Sequence, residues 1–265
     1  MQFCLVFVLA LFGLYGISFA QKCRFFCPYS KNLVKKGGPS MPELKLFVAP
    51  NTCARVPTIA LEEIGTPFET ELVRTAANQQ NSPEYLALNP KGKVPLLLID
   101  GAPLTENVAI LTWLNSTFPD AGLLPQATEP LDAVRQTADL AFFSATVHPT
   151  VTRIAMPIKF IADGALSFEI VRPKGIEAMR PIMTMVERRL DPGPWWYGDT
   201  WSVLDAYLFW AWGRITETGF PDDDFPNIRR HREMSNARPA VQRAMAREVE
   251  NIAVLEAEGL YRAPR

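Results

Sequence analysis

The sequence predicts an α/β domain followed by an all-helical domain, and three observations lead to that expectation. An alternating apolar segment at residues 44–48 runs into a helix that ends at Gly65. A proline opens a second apolar segment at residues 95–99, and a tight turn follows it. From residue 131 onward the periodic segments have helical spacing. The predicted boundaries are 1–40 for an N-terminal extension, 41–122 for the α/β domain, 123–130 for a linker and 131–265 for the helical domain.

The first strand and helix place a cysteine at the joint between them. Side chains alternate over residues 44–48 as in a partly buried strand, and Ile59, Ala60, Glu63 and Ile64 follow helical spacing. The joint between strand and helix therefore falls at residues 50–54. Unpaired N–H groups and aligned peptide dipoles at a helix start favour an anion. This predicts that the pKa of the Cys53 thiol lies below its usual value of about 8.5 and that the thiol is reactive. The alternative is that Cys53 is a small buried hydrophobic residue.

The rest of the α/β half, expected as strand, helix, hairpin and helix, predicts a place for an extended peptide ligand. A proline that opens a strand cannot donate to a ladder, and the Val94–Pro95 bond is a candidate for the cis form. This leaves the N–H and C=O of Val94 for an added strand. Asp100-Gly101 predicts a hairpin turn. At the next helix start, backbone N–H groups can hold a carboxylate and Glu106 can hold an ammonium group.

These motifs, in this order, resemble the thioredoxin-like half of a cytosolic glutathione transferase, and the resemblance covers residues 41–265. It implies the glutathione transferase fold, in which an α/β thioredoxin-like domain precedes an all-α domain. In that family glutathione lies along the strand that begins with the cis-proline, which assigns Lys93, Val94 and Pro95 to glutathione binding. The γ-glutamyl head meets an acidic residue and the serine after it, and these positions hold Glu106 and Asn107 here.

The same resemblance assigns the thiol chemistry. The segment from Ala49 to Ala54 is similar to the Ser-Pro-x-Ala-Cys-Ser opening of the bacterial beta-class enzymes, which places the family's cysteine at Cys53. Because Ala54 replaces the serine that follows, Thr52 or Asn51 is expected to act as a donor to the glutathione sulfur. The beta-class lysine between the second strand and the proline loop has Gln79 or Gln80 as its nearest candidate.

The helical half is expected to contribute a histidine to the site. Residues 142–148 resemble the beta-class helix segment whose histidine faces the glutathione sulfur, which assigns His148 to the site. The competing interpretation is a hydrogen-bonded core histidine. Trp210 or Trp212 is a candidate for an acceptor pocket, although aromatic residues at helical spacing usually belong to the core.

Four helices are predicted in this half, and one of them carries a capping box. They run from Leu131 to about Phe160, from Ile176 to Leu190, from Ser202 to about Thr218 and from Arg238 to about Glu258. Ser202 and Asp205 have the spacing in which the two side chains bond each other's backbone N–H groups at a helix start. This motif predicts a folding element and carries no information about substrate.

Composition and charge exclude several classes of protein. The chain has 27 basic and 28 acidic residues, so no basic field is available for nucleic acid. Its four cysteines and two histidines show no zinc spacing, and Cys23 and Cys27 imply no disulfide framework. We therefore expect neither a metal cofactor nor a nucleic-acid partner.

The first 40 residues contain a nearly uninterrupted apolar run from Phe3 to Ala20. Basic residues follow the run and none precedes it, which argues against export, and Met41 directly precedes the first strand. We expect residues 1–40 to be an upstream extension of an over-long gene model and the protein to be cytoplasmic. A membrane anchor at residues 3–20 that faces the cytosol is the second interpretation, and export is the third.

The resemblance predicts a glutathione transferase that activates the thiol of its co-substrate glutathione for attack on a small hydrophobic electrophile. Thiol–disulfide exchange through Cys53 is a second chemistry for the same site. The resemblance also implies a two-fold homodimer. The alternatives are a glutathione-dependent lyase, isomerase or oxidoreductase of the same fold, and a non-catalytic interaction module.

Overall fold

Four strands form a mixed sheet in the order β2-β1-β3-β4. The computed structural model describes residues 41–263, and the predictions for residues 1–40 lie outside this range. The central strand β1 is parallel to β2, with Lys45 opposite Glu69, and antiparallel to β3, with Leu44 opposite Ile99. The strands are β1 (Leu44–Val48), β2 (Glu69–Leu72), β3 (Leu96–Ile99) and β4 (Ala102–Thr105).

Three helices accompany the sheet, and the helices of the second half follow in sequence. The helices are α1 (Arg55–Ile64), α2 (Pro83–Leu88), α3 (Asn107–Thr117), α4 (Pro130–Ala141), α5 (His148–Ala155), α6 (Gly164–Leu166), α7 (Arg172–Arg189), α8 (Val203–Thr216), α9 (Pro226–Asn236) and α10 (Pro239–Ala257). A π-helical turn at Phe142–Val147 joins α4 to α5, and a second one at Ser167–Val171 precedes α7. A sheet-containing half followed by a helical half confirms the predicted fold class.

The local signals at the ends of the first elements are also confirmed. Gly65 ends α1 in the left-handed region at φ 73°, where a residue without Cβ is favoured. Asp100 and Gly101 have φ values of 50° and 81° and form the hairpin turn between β3 and β4. Alternation along β1 buries Leu44, Leu46 and Val48 against α1 and α3, so the joint that carries Cys53 begins from a fixed strand.

Three helix predictions differ from the structure. The helix expected to reach about Phe160 ends at Ala155, because Pro157 disfavours helical backbone in the residue before it. The helix expected from Ile176 begins at Arg172, after the unpredicted short helix α6 and a π-helical turn. Helix α9 was also not predicted, because two of its three buried positions, His231 and Ser235, are polar and hide the apolar period.

Helix α8 forms the centre of the helical half. All but its last residue are buried, and it packs against α1, α5 and α9. Its N-terminus has the predicted capping box, in which the Asp205 carboxylate accepts from Ser202 N at 2.8 Å and Ser202 Oγ accepts from Leu204 N at 3.3 Å. None of the helices in residues 41–263 is both long and apolar enough to span a bilayer.

Candidate functional site

Cys53 lies in the turn between β1 and α1, two residues before the helix begins. Its Sγ donates to the carbonyl oxygen of Val94 at 3.8 Å. Its own carbonyl oxygen accepts from Asn107 Nδ2 at 3.1 Å, so the first residue of α3 is bonded to the same turn. The structure therefore brings together three segments that are far apart in sequence: the β1–α1 turn, the loop before β3 and the start of α3.

The expected low pKa of Cys53 is wrong for this structure. Burial raises the pKa of the thiol to about 12, because a thiolate in an enclosed site loses its hydration. The backbone N–H of Cys53, the side chain of Asn107 and the Lys159 ammonium act in the opposite direction and do not offset the burial. The helix start is where the sequence placed it, but the thiol is only 7% exposed. Cys53 is therefore a neutral thiol at neutral pH.

The two residues before Cys53 are bonded away from the thiol. Thr52 Oγ1 donates to Ala49 O at 2.6 Å and accepts from Ala54 N at 3.3 Å, so its hydroxyl proton is already in use. Asn51 has a left-handed φ of 63°, its backbone N–H donates to Glu248 Oε1 at 2.7 Å, and its side-chain Nδ2 donates to Tyr261 Oη at 3.5 Å. The expectation that either side chain replaces the missing serine donor finds no support in this geometry.

The loop before β3 offers a backbone donor. The Val94–Pro95 peptide bond is cis, as the sequence suggested. The carbonyl oxygen of Lys93 accepts from Tyr85 Oη at 2.7 Å and from Asn89 Nδ2 at 2.6 Å. These two bonds fix the residue that precedes Val94. The Val94 N–H donates to no described residue. An extended ligand can therefore pair with Val94 through this N–H.

Glu106 and Asn107 have different environments although they are adjacent. Glu106 has a φ of 74° and an exposed carboxylate that accepts from Lys91 Nζ at 2.7 Å. Asn107 is 6% exposed and directs its amide towards Cys53, and its Oδ1 has no partner among the described residues. The Asn107 side chain is thus buried against the Cys53 turn, whereas the N–H groups of the first turn of α3 have no intrahelical partner.

Gln79 and Gln80 lie in a short 3₁₀ turn after β2. Gln79 Oε1 accepts from the backbone N–H of Arg74 at 2.8 Å, so this side chain shapes its own loop. Gln80 Nε2 donates to Asn78 Oδ1 at 3.4 Å. The structure gives neither glutamine a contact with Cys53, Val94 or Glu106. Within residues 41–263 no group of three His, Cys, Asp or Glu side chains is arranged to hold a metal ion.

His148 follows the π-helical turn and begins α5. Its Nδ1 lies 3.1 Å from Tyr207 Oη, and its ring meets the edge of Trp210 with the centroids 4.7 Å apart. Burial, with contributions from Lys93 and Lys159, lowers the pKa of His148 to about 4, so the ring is neutral at pH 7. Trp212, the other pocket candidate, is 1% exposed and packs on Phe220 and Phe225 in the core.

Sequence reasoning missed two residues near this site. Tyr207 is fully buried in α8, and the nearby Cys53 adds to burial in raising the pKa of its hydroxyl. Lys159 is exposed after α5 and acts electrostatically on both Cys53 and His148. Tyr207 lies two residues after the capping-box aspartate Asp205, and the spacing of the capping box gives it no separate signal. Lys159 fell inside a helix that was expected to continue, so no signal in the sequence distinguished it.

Comparison with known proteins gives two matches to family models. Residues 42–116 match the Glutathione S-transferase, N-terminal domain, and residues 169–233 match the Glutathione S-transferase, C-terminal domain. Glutathione S-transferase GST-4.5 of Xanthomonas campestris pv. campestris is 36% identical over 173 residues, which are 63% of this chain and 79% of that protein.

Solved structures give the same result. A glutathione transferase homologue from Sulfitobacter with bound glutathione has a TM-score of 0.69 at 29% identity, covering 77% of this chain and 98% of that one. The bacterial beta-class glutathione S-transferase of Sphingomonas chungbukensis has a TM-score of 0.67 at 29% identity, covering 77% of this chain and 98% of that one.

Proposed function

The chain belongs to the glutathione S-transferase family, and from this premise we propose that it binds glutathione and activates the glutathione thiol for attack on a small hydrophobic electrophile, as in a detoxifying conjugation. The observation that carries the proposal is the meeting of three segments at Cys53. The thiol contacts Val94 O at 3.8 Å, and the residue after Glu106 holds the Cys53 carbonyl at 3.1 Å. One extended ligand can therefore contact Cys53 with its thiol, Val94 with its peptide backbone and the start of α3 with its charged head group.

Each part of glutathione has a counterpart in this arrangement. Its cysteinyl backbone pairs with the free N–H of Val94 as an added strand. The ammonium of its γ-glutamyl head meets the Glu106 carboxylate in place of Lys91 Nζ, which now lies 2.7 Å from that carboxylate. The α-carboxylate of the head lies at the start of α3, where unpaired N–H groups favour an anion. Its sulfur then lies beside Cys53.

The neutral Cys53 thiol acts as a hydrogen-bond donor in this proposal. Its S–H now reaches Val94 O over 3.8 Å, and a glutathione thiolate is a stronger acceptor than a carbonyl. A donor aimed at the sulfur stabilises the ionised form of glutathione, and the Lys159 ammonium adds a favourable field. Thiol–disulfide exchange through Cys53 is the second chemistry, and it requires the Cys53 thiolate, which burial disfavours.

The acceptor is proposed to lie beside Lys159. Three exposed apolar side chains surround this lysine in sequence: Met156, Ile158 and Phe160. The electrostatic effect of Lys159 on the pKa values of Cys53 and His148 supports this position. A small hydrophobic electrophile that covers these side chains also removes apolar surface from water.

A two-fold homodimer is part of the same proposal. Helix α4 exposes Leu131, Val134 and Ala138, which are spaced by three and four residues and so lie on one face of the helix. Leu131 and Val134 are 54% and 62% exposed in the single chain. A second copy that covers this face buries both side chains in a self-complementary interface.

We also propose that the protein acts in the cytoplasm, which cell fractionation tests.

Two substitutions at Cys53 test the proposed chemistry. Cys53→Ser keeps a hydrogen-bond donor, whereas Cys53→Ala removes it. Conjugation of an aromatic halide with glutathione should fall by about 10- to 100-fold in Cys53→Ala and much less in Cys53→Ser. Loss of activity in both variants, with a mixed disulfide at Cys53 in the parent, would favour thiol exchange. Glutathione binding without turnover on any electrophile would favour the lyase, isomerase or non-catalytic alternatives.

A further inference from the structure

Carboxylate–guanidinium pairs join α1, the first helix of the described residues, to α10, the last helix, and to the residue just before α10. Glu62 of α1 accepts from Arg243 Nε and Arg247 Nε of α10, both at 2.6 Å. Glu63 pairs with Arg238 at 2.8 Å just before α10 begins. At the other end of α1, Arg55 pairs with Glu248 of α10 at 2.8 Å. Glu248 differs from the other carboxylates because it also accepts a hydrogen bond from the turn before α1.

Glu248 holds the residues on both sides of Cys53. Its Oε1 accepts from the Asn51 N–H at 2.7 Å, and its two oxygens accept from Arg55 Nη2 at 2.8 Å and Arg55 Nε at 2.9 Å. Asn51 and Arg55 are the residues two before and two after Cys53. One carboxylate from a distant part of the chain therefore closes a clamp across the turn that carries the thiol.

The clamp is enclosed and geometrically specific. The side chains of Arg55 and Glu248 are 4% and 10% exposed. A bidentate guanidinium–carboxylate pair fixes orientation as well as distance. Asn51 has a φ of 63°, a conformation that costs energy in a residue with a Cβ and persists where surrounding contacts hold it. The bond from Glu248 to its N–H is such a contact.

We propose that Glu248 is a positioning residue for Cys53: its carboxylate holds Asn51 and Arg55 so that the thiol faces Val94 and the incoming sulfur. The catalytic part of this statement rests on the proposed function, since it concerns the same site. Glu248 itself bonds neither Val94 nor Glu106, so the contacts proposed for glutathione do not depend on it. Loss of the clamp should therefore change turnover and thiol reactivity more than glutathione affinity.

Glu248→Gln tests the proposal, with Glu62→Gln as the matched control. Both glutamates contact α1 and α10 through guanidinium groups, and their side chains are 10% and 8% exposed. In Glu248→Gln we expect kcat to fall by about tenfold or more, because small displacements of a reacting group are costly, while KM for glutathione stays within about threefold. Glu62→Gln should leave both constants within about twofold, even where the two variants lose similar thermal stability. Equal losses of kcat in the two variants, or an unchanged kcat in Glu248→Gln, would overturn the proposal.

A second measurement keeps this test separate from the proposed function. The rate of Cys53 alkylation by iodoacetamide, followed by mass spectrometry on the full chain without glutathione, should change at least about threefold in Glu248→Gln and stay near the parent rate in Glu62→Gln. A parent without glutathione turnover contradicts the proposed function but leaves this readout intact. If Glu248→Gln does not fold, Arg55→Lys keeps the charge and loses the fork. A parent-like alkylation rate in that variant contradicts the clamp.

Discussion

At the scale of single residues, the burial of Cys53 makes a prediction about its reaction with alkylating agents. Because the pKa of the thiol is raised to about 12, the thiolate fraction of the free protein rises by about tenfold for each pH unit between pH 7 and pH 9. The rate of iodoacetamide modification at Cys53, measured by peptide mass spectrometry, should rise with the same slope. A plateau near pH 7 would show that the thiol ionises as an ordinary helix-start thiolate.

His148 makes a second prediction. Since burial lowers the pKa of His148 to about 4, its ring should keep a neutral chemical shift from pH 8 down to about pH 5. The chain has two histidines, so the NMR spectrum is simple, and His148→Gln identifies the resonance by its loss. A midpoint near 6.5 for that resonance contradicts the burial of the ring.

Glu106 and Lys91 provide a paired test of glutathione recognition. Glu106→Ala should weaken glutathione binding by about 1–2 kcal/mol, or about 5- to 30-fold, measured by titration calorimetry. The effect is smaller than for a desolvated contact, because the Glu106 side chain is 64% exposed in the absence of ligand.

Lys91→Ala is the control for this pair. It removes the ammonium that competes for the same carboxylate, so affinity should stay the same or rise. Equal affinity in the Glu106 variant and the parent would show that the head group binds elsewhere.

Some features of the candidate site could be predicted from the sequence and others could not. The three motifs, through their resemblance to the glutathione transferase family, predicted that the segments of Cys53, Val94 and Glu106 contact one extended ligand. The side-chain environments were not predictable in the same way. Whether Thr52 is free depends on the Ala49 carbonyl 2.6 Å away, and the pKa of Cys53 depends on packing. Their roles in glutathione chemistry stay predictions.

At the scale of elements, the capping box of α8 makes a stability prediction. Asp205 is fully buried and accepts from Trp196 N at 2.7 Å, Ser202 N at 2.8 Å and His231 Nε2 at 3.0 Å. Asp205→Ala leaves these donors without an acceptor and should lower the free energy of unfolding by about 3–5 kcal/mol in denaturant titrations.

Asp199→Ala serves as the control for the capping box, because Asp199 is exposed. It should change the free energy of unfolding by less than about 0.5 kcal/mol. A similarly small change for Asp205→Ala would mean that the capping box does not stabilise α8.

Helix prediction succeeded where the buried stripe is apolar and failed where it is polar or interrupted. The bounds of α8 and α10 differ from the expected ones by one or two residues. Helix α9 was missed because His231 lies on its buried face, and the pairing of this residue with Asp205 is a tertiary contact over 26 positions. A polar residue that is buried by such a distant contact interrupts the apolar periodicity of its helix. Hydrophobic patterning therefore does not detect α9.

At the scale of the whole molecule, we predict that residues 41–265 alone form a two-fold dimer in solution. Light scattering on this fragment should give twice the mass of one fragment chain, and removing residues 1–40 should leave glutathione binding unchanged. A monomeric fragment contradicts the dimer, and an insoluble one would show that the first 40 residues belong to the fold.

Two substitutions locate the dimer interface. Val134→Asp should convert the dimer to a monomer, because it places a charge on the apolar face of α4. Val249→Asp on α10 should leave the dimer intact, since Val249 is 61% exposed and Val134 is 62% exposed, but only Val134 lies on the proposed interface. Dissociation by both changes would mean that the interface lies elsewhere.

The clamp from Glu248 also has a consequence for biosynthesis. Asn51 and Glu248 are 197 positions apart, so the ribosome makes the cysteine turn long before it makes the carboxylate that closes over it. At 5–20 residues per second the interval is roughly 10–40 s. During translation the nascent chain therefore carries Cys53 in an unclamped turn, and the thiol reaches its final setting after α10 has left the exit tunnel.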